Sequence, residues 1–236
     1  MSTTPILELI DVVKSYGTGS AEIKALGGIN LRIARGEFVA IMGPSGCGKS
    51  TVLHLAGGLE DPSAGCVSVD GRIIADMNGA ERSALRRSKV GYIFQRLNLL
   101  PSLTARENVM LPLELDGKSR REAASRATEA LQLVGLTHNL DRYPSEFSGG
   151  QQQRIAIARS VVAERSLLLA DEPTGSLDTV NSDEIIELLA SLPSHLGTSV
   201  VLVTHEPRFA SWADRVVFLR DGQIVNESTS ETFGER

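Results

Sequence analysis

The chain has 236 residues, 42% hydrophobic and 22% charged, with a formal net charge of −5. That length and balance fit a globular α/β protein with one sizeable core and exclude a disordered chain; they also offer no overall positive field to hold nucleic acid or anionic lipid. No apolar run approaches the roughly eighteen residues that span a bilayer, no signal peptide opens the chain, and Cys47 and Cys66 belong to no C-x-x-C or Cys/His grouping, so a cytoplasmic protein with free thiols is expected.

Residues 6 to 14 alternate as a strand, and Glu22 to Ile33 read as two more strands joined at Gly27-Gly28, which together make an antiparallel β layer. Tyr16 sits between them in a Gly/Ser-rich turn, where by itself it reads as a half-buried turn residue. Glu37 to Met42 is a short apolar run of the kind that forms a buried strand. It leads directly into Gly43-Pro44-Ser45-Gly46-Cys47-Gly48-Lys49-Ser50-Thr51, which fits G-x-x-x-x-G-K-[ST] at every fixed position. Glycines at that spacing let successive backbone N–H groups turn inward as an anion nest, Lys49 reaches β- and γ-phosphates, and the Ser50 hydroxyl suits Mg²⁺. A helix beginning near Lys49 adds its positive end to the same place. A plain Gly-rich turn would not explain the Lys and Ser that follow the last glycine.

Thr51 to Ala56 continue that helix, and Gly57-Gly58 with Asp61-Pro62 form a turn. Cys66 to Ile74 read as a strand pair around Asp70-Gly71, and Ala80 to Ser88 as a basic helix. Arg86-Arg87 and Arg120-Arg121 read as solvated helix faces. Val90 to Phe94 form a strand that ends at Gln95, a polar amide at the carboxyl end of a core strand, where open α/β sheets bind ligands.

From Leu97 to Arg165 the pattern turns helical: Arg106 to Leu113, interrupted by Pro112; Arg120 to Val134; and Gln151 to Val162. The expectation is an α-helical subdomain at about 97–165, inserted in a core that otherwise makes residues 1–236 one domain. Ser148-Gly149-Gly150-Gln151 opens the last of these helices with a hydroxyl and bare N–H groups, a second anion site that one nucleotide does not need unless two copies face each other. Leu167 to Ala170 is a buried-strand run ending in Asp171-Glu172. One carboxylate there can meet Mg²⁺ through water and the next can polarise an attacking water; simple capping of a following helix is the bland alternative. Asp183 to Leu192 form a helix, Ser199 to Thr204 a strand that places His205 at its end, and Arg208 to Ala213 a short helix whose Trp212 is taken as packing. Strands at Arg215 to Leu219 and Gln223 to Val225 precede a polar tail, Glu227 to Arg236, with no appended regulatory domain expected.

With these positions assembled, the chain resembles the ATP-binding subunit of ABC transporters over almost its whole length. Tyr16 resembles the adenine-stacking A-loop residue, Gly43 to Thr51 Walker A, Gln95 the Q-loop and Ser148 to Gln151 the signature. Asp171 with Glu172 resembles Walker B and its catalytic glutamate, Ser176-Leu177-Asp178 the D-loop, and His205 the switch histidine. A finer resemblance to the MacB/LolD/FtsE-like branch rests on Asn98-Leu99-Leu100-Pro101, Glu107-Asn108-Val109, Asp171 to Gly175 and Gln151 to Arg154. Phe147, Cys47 and Ser176 depart from the usual Leu, Ser and Asn.

The resemblance implies a P-loop NTPase core of RecA-like type with an antiparallel β layer and the inserted helical subdomain. It implies ATP and Mg²⁺, with Ser50, Gln95 and Asp171 toward the metal and Glu172, Gln95 and His205 as the catalytic set. It also implies a head-to-tail homodimer in which Asp178 and Ser148 to Gln151 complete the partner's site. Integral membrane permease subunits would hold the chain at the inner face of the membrane and be powered as an exporter or a lipid-, lipoprotein- or peptide-extruding system. An FtsE-type mechanotransmission ATPase, transporting nothing, is the alternative; a soluble ABC ATPase acting on ribosomes or DNA fits the acidic balance less well.

Overall fold

The computed structural model describes residues 4–175 and 177–229; Ser176 of the expected D-loop and residues 230–236 of the expected tail lie outside the described residues. Two sheets organise the fold. The larger has six strands in the order β10-β9-β3-β8-β7-β6, drawn from β3 (Phe38–Met42), β6 (Val90–Ile93), β7 (Leu167–Asp171), β8 (Ser199–Thr204), β9 (Arg215–Arg220) and β10 (Gln223–Thr229). All neighbours are parallel except β9 and β10, which form an antiparallel hairpin. The smaller sheet is antiparallel, in the order β2-β1-β4-β5, from β1 (Leu7–Tyr16), β2 (Ile23–Ile33), β4 (Ala64–Val69) and β5 (Arg72–Ile73).

The continuous apolar runs are explained by burial on both faces. Along β3, Phe38, Ala40 and Met42 enter one core while Val39 and Ile41 enter another, the period-two alternation of a strand with protein on either side. One core lies between the large sheet and α3 (Ala105–Leu115), α4 (Arg120–Leu133), α5 (Gly149–Val161) and α6 (Thr179–Leu196). The other lies between the two sheets and encloses α1 (Lys49–Ala56). Of the remaining helices, α2 (Gly79–Ser88) buries Leu85 in the core between the sheets, and the four-residue α7 (Pro207–Ala210) buries Phe209 and Ala210 in the core on the helical side.

Several local expectations change. Glu22 to Ile33 is not two strands but one: Val12 pairs with Ile29 and Val13 with Gly27, so Gly28, at φ +93, is passed over as a bulge. Pro112 does not stop α3, because it forfeits one helical hydrogen bond while Val109, Met110 and Leu113 bury the same helix face. The helix expected at Asp183 begins earlier, at Thr179, because the Asp178 side chain caps it by accepting from Asn181 N. Trp212 does not pack inward; it is exposed, and Phe209 fills the buried position beside it. Arg120 and Arg121 are solvated as expected, but Arg86 is half-buried and donates to the Gly58 carbonyl at 2.8 Å. Phe147 is buried in the helical core, so its aromatic bulk is accommodated there.

Candidate functional site

The carboxyl ends of β3, β6 and β7 converge on one cleft of about 470 Å³. The loop from Gly43 to Gly48 forms its floor, and close packing dictates the glycines. A Cβ at Gly43 would lie 2.1 Å from the Leu219 carbonyl oxygen, and at Gly48, with φ +106, 2.6 Å from that of Ala25. Any side chain would push the loop off the sheet.

The start of α1 differs from every other long helix described. Asn78, Thr104, Ser119, Ser148 and Asp178 cap α2 to α6 with their side chains, whereas α1 starts from Gly48 with no side-chain cap and no acidic residue in its first turn. Its amide groups and positive end are therefore left for a ligand, and the ligand they fit is an anion. Lys49 is almost fully buried, and its Nζ donates to the Gly43 and Pro44 carbonyls at 2.7 and 2.9 Å, which folds the ammonium back over the loop.

Opposite this floor stand the carboxylates. Ser50 Oγ donates to Asp171 Oδ1 at 3.1 Å. Burial pushes the Asp171 carboxyl up from its ordinary range, and the Ser50 hydrogen bond only partly offsets this. A half-buried carboxylate with raised proton affinity beside a hydroxyl, and the Gln95 carboxamide on the same cleft wall, form an all-oxygen donor set that fits a hard divalent cation. Glu172 follows at φ +44, a left-handed conformation held by its N–H to Val203 O at 3.0 Å and by Gly175 N to its own carbonyl at 3.1 Å. Its Oε1 lies 3.3 Å from His205 Nδ1.

The cleft thus gathers Tyr16, Ser45, Gly46, Gly48, Lys49, Ser50, Thr51, Gln95, Asp171 and Glu172, with Pro44 and Cys47 in the same loop and His205 on its margin. Cys47 is buried under the loop, not presented to the cleft. The structure does not bring Ser148, Gly149, Gly150, Gln151 or Asp178 to this cleft. Ser148 Oγ accepts from Gln151 N at 3.3 Å, Gln151 Oε1 accepts from Ser148 N at 3.0 Å, and Asp178 caps α6.

Sequence reasoning missed the surroundings of Tyr16. Its phenol donates to Glu60 Oε2 at 2.7 Å and lies 3.5 Å from Thr51 Oγ1. Glu60 also meets Lys14 Nζ and His54 Nδ1, each at 3.1 Å. Burial works against the Glu60 carboxylate, but the hydrogen bonds from Tyr16 and Lys14 outweigh it and hold Glu60 below the usual carboxylate range. The sequence offers no periodic or motif signal for such a cluster.

A second cavity, of about 360 Å³, opens beside the segment after Gln95. Tyr92, Phe94, Leu59 and Pro112 line it together with Arg86, Arg159 and Arg165, and among the described residues no acidic side chain does. Arg159 donates to the Asn98 and Leu97 carbonyls at 2.7 and 2.6 Å, tying the loop after Gln95 to α5. Burial lowers Arg165 to about 10.

Residues 26–175 match the family model described as ABC transporter. The chain is 46% identical over 220 residues to the lipoprotein-releasing system ATP-binding protein LolD of Geobacter metallireducens, covering 93% of this chain and 98% of that one. It is 44% identical to the macrolide export ATP-binding/permease protein MacB of Syntrophobacter fumaroxidans, but spans only 32% of that longer protein. Among solved structures it is similar to a dimeric ATP-binding cassette in a post-hydrolysis state bound to ADP and Pi, with a TM-score of 0.88, 41% identity and 95% and 98% of the two chains covered. The chain belongs to the ABC transporter family, as one of its ATP-binding cassettes.

Proposed function

We propose that this chain, an ATPase of the ABC transporter family, works as a head-to-tail homodimer that drives membrane permease subunits of LolD/MacB type. The observation that carries the reading is the cleft itself, where an uncapped helix start, a buried lysine and two carboxylates surround one anion-sized space. The relatives named for lipoprotein release and macrolide export support the class of system. The absence of any helix long and apolar enough to cross a membrane, among the described residues, fits a chain held at the inner face by its partners. In this reading residues 1–236 are one ATPase domain, with a helical subdomain at about 97–165.

Phosphoryl transfer asks the protein mainly for positioning and charge neutralisation. The loop amides and Lys49 bind the β- and γ-phosphates, and the Tyr16 ring takes the adenine. Ser50, Asp171 and Gln95 hold Mg²⁺, which supplies charge neutralisation to the phosphate oxygens. A Glu172 carboxylate oxygen accepts the proton of the water whose oxygen bonds to the γ-phosphorus as the bond to the β-phosphate oxygen breaks. His205 orients Glu172 and contacts the γ-phosphate. The start of α5, at Ser148 to Gln151, and Asp178 lie away from this chain's cleft, and in the dimer they face the nucleotide of the other copy. The arginine-lined cavity beside Leu97 to Val109 receives a cytoplasmic helix of the permease, whose acidic groups or C-terminal carbonyls suit three guanidinium groups without a carboxylate.

The test is affinity purification of Glu172→Gln with Mg-ATP from membranes solubilised in mild detergent. The expected companion is an integral membrane protein with a large extracytoplasmic domain. Recovery of ribosomal or DNA-bound proteins in its place overturns the transporter reading and leaves the ATPase.

A further inference from the structure

We propose that Glu60 is a positioning residue for the base: its carboxylate fixes the Tyr16 ring to the phosphate-binding helix α1 and so sets the platform at a constant distance from the cradle. The inference rests on the reading of the cleft as the nucleotide site with Tyr16 beneath the adenine.

Tyr16 is the last residue of β1, on the antiparallel sheet, whereas the phosphate loop hangs from the six-stranded sheet. Gly17, at φ +81, and Gly19, at φ +61, follow it, so the chain beyond gives the ring little support. The ring is 40% exposed and lies outside the apolar core between the two sheets. What fixes it is polar. The phenol donates to Glu60 Oε2 at 2.7 Å, and Thr51 Oγ1 of α1 stands 3.5 Å away. His54, one turn further along α1, contacts the other carboxylate oxygen at 3.1 Å. Lys14 bonds Oε2 at 3.1 Å and sets its ammonium over the ring, 5.0 Å from the centroid. One face of the ring is thereby occupied by a cation, which leaves the other for a base.

A purely structural role, holding the turn after α1, is already filled without this carboxylate. Leu59 N donates to His54 O at 2.9 Å, Ser63 N to Val13 O at 2.8 Å, Ser15 N to Ser63 Oγ at 3.0 Å and Lys14 Nζ to Asp61 O at 2.8 Å. Arg82 pairs with Asp61 at 2.7 Å. The turn therefore stays in place when the Glu60 side chain is removed, and the ring does not.

The experiment is calorimetric titration with ADP and with inorganic pyrophosphate, which differ by the nucleoside and are not turned over. Wild type, Glu60→Ala, Tyr16→Phe, the double variant and Glu60→Gln are compared. The expected result is that Glu60→Ala and Tyr16→Phe each weaken ADP about tenfold or more, the loss of one hydrogen bond to a charged group, with pyrophosphate affinity unchanged. The double variant is no weaker than either single one, and Glu60→Gln, whose amide oxygen still accepts from the phenol, recovers most of the loss. Unchanged ADP affinity in Glu60→Ala, additive losses in the double variant, or an equal loss for pyrophosphate overturns the assignment while the nucleotide site stands. A wild-type protein that binds ADP no more tightly than pyrophosphate overturns the base platform itself and Glu60 with it.

Discussion

Ser50 Oγ donates to Asp171 Oδ1 at 3.1 Å, joining the first turn of α1 to the end of β7 across 121 positions of sequence. The pair holds a carboxylate where burial disfavours its charge, and Glu172 beside it adds like-charge repulsion. A carboxyl whose pKa is raised in the fold binds its proton more tightly folded than unfolded. Its charge then costs stability at neutral pH, and the cost disappears as pH falls through the raised pKa. Asp171→Asn is expected to melt higher than wild type without nucleotide at neutral pH, with the advantage shrinking as pH falls. Mg²⁺-dependent ATP hydrolysis should drop by at least ~100-fold. Melting across the range from about pH 8 to about pH 4, with ATPase rates, checks both. A variant that melts lower at neutral pH contradicts the argument.

Glu172 Oε1 and His205 Nδ1 lie 3.3 Å apart, and the Glu172 backbone is held in the left-handed region by two hydrogen bonds. Glutamine keeps the shape and the neighbour but cannot take a proton. Glu172→Gln is expected to slow turnover by roughly 10³-fold or more and to trap an ATP-bound dimer, read by light scattering on a sizing column. Normal hydrolysis removes the general base, and a monomer at saturating Mg-ATP removes the head-to-tail arrangement.

The phosphate loop was legible because its demands are written in one contiguous spacing: glycines where the backbone meets Leu219 and Ala25, then Lys and Ser. The buried strands were legible for a similar reason, since burial on both faces leaves an unbroken apolar run at Phe38 to Met42 and Leu167 to Ala170. The Glu60 cluster was not, because its members come from β1, α1 and a turn, and no local pattern distinguishes a tethering glutamate from a solvated one. Gly28 read as a break because a bulge and a turn use the same residue, and only the pairing partner tells them apart. Trp212 read as packing because size favours burial, but α7 is too short to bury both it and Phe209.

Asn108 is fully buried on α3 and saturated. Its Oδ1 accepts from Leu100 N at 2.8 Å, and its Nδ2 donates to the carbonyls of Leu100, Leu103 and Thr104, each at 3.0 Å. It shapes the segment after Gln95 from one end while Arg159 holds the other. Asn108→Leu leaves buried backbone groups without partners, at a cost of about 2 to 3 kcal/mol, or a melting temperature lower by roughly 4 to 12 °C. Thermal and urea unfolding measure it; a loss below about 0.5 kcal/mol shows that the loop re-forms its bonds elsewhere.

Leu99 and Leu100, adjacent in sequence, separate folding from docking. Leu99 packs against the helical core, whereas Leu100 is 41% exposed at the segment proposed to meet the permease. Leu99→Asp places a charge against apolar side chains and is expected to cost about 2 kcal/mol or more of stability, lowering every activity together. Leu100→Asp loses little burial and adds a carboxylate at a docking surface, so the isolated subunit should keep its fold and basal ATPase rate. Its association with the membrane partner should fall by roughly tenfold, since one exposed leucine at an interface contributes on the order of 1 to 2 kcal/mol. Melting curves, basal ATPase and co-purification are measured side by side on both variants. Equal losses of stability in the two sink the distinction between them. A Leu100→Asp protein that folds, hydrolyses ATP and still retains its membrane partner moves the docking surface away from this segment.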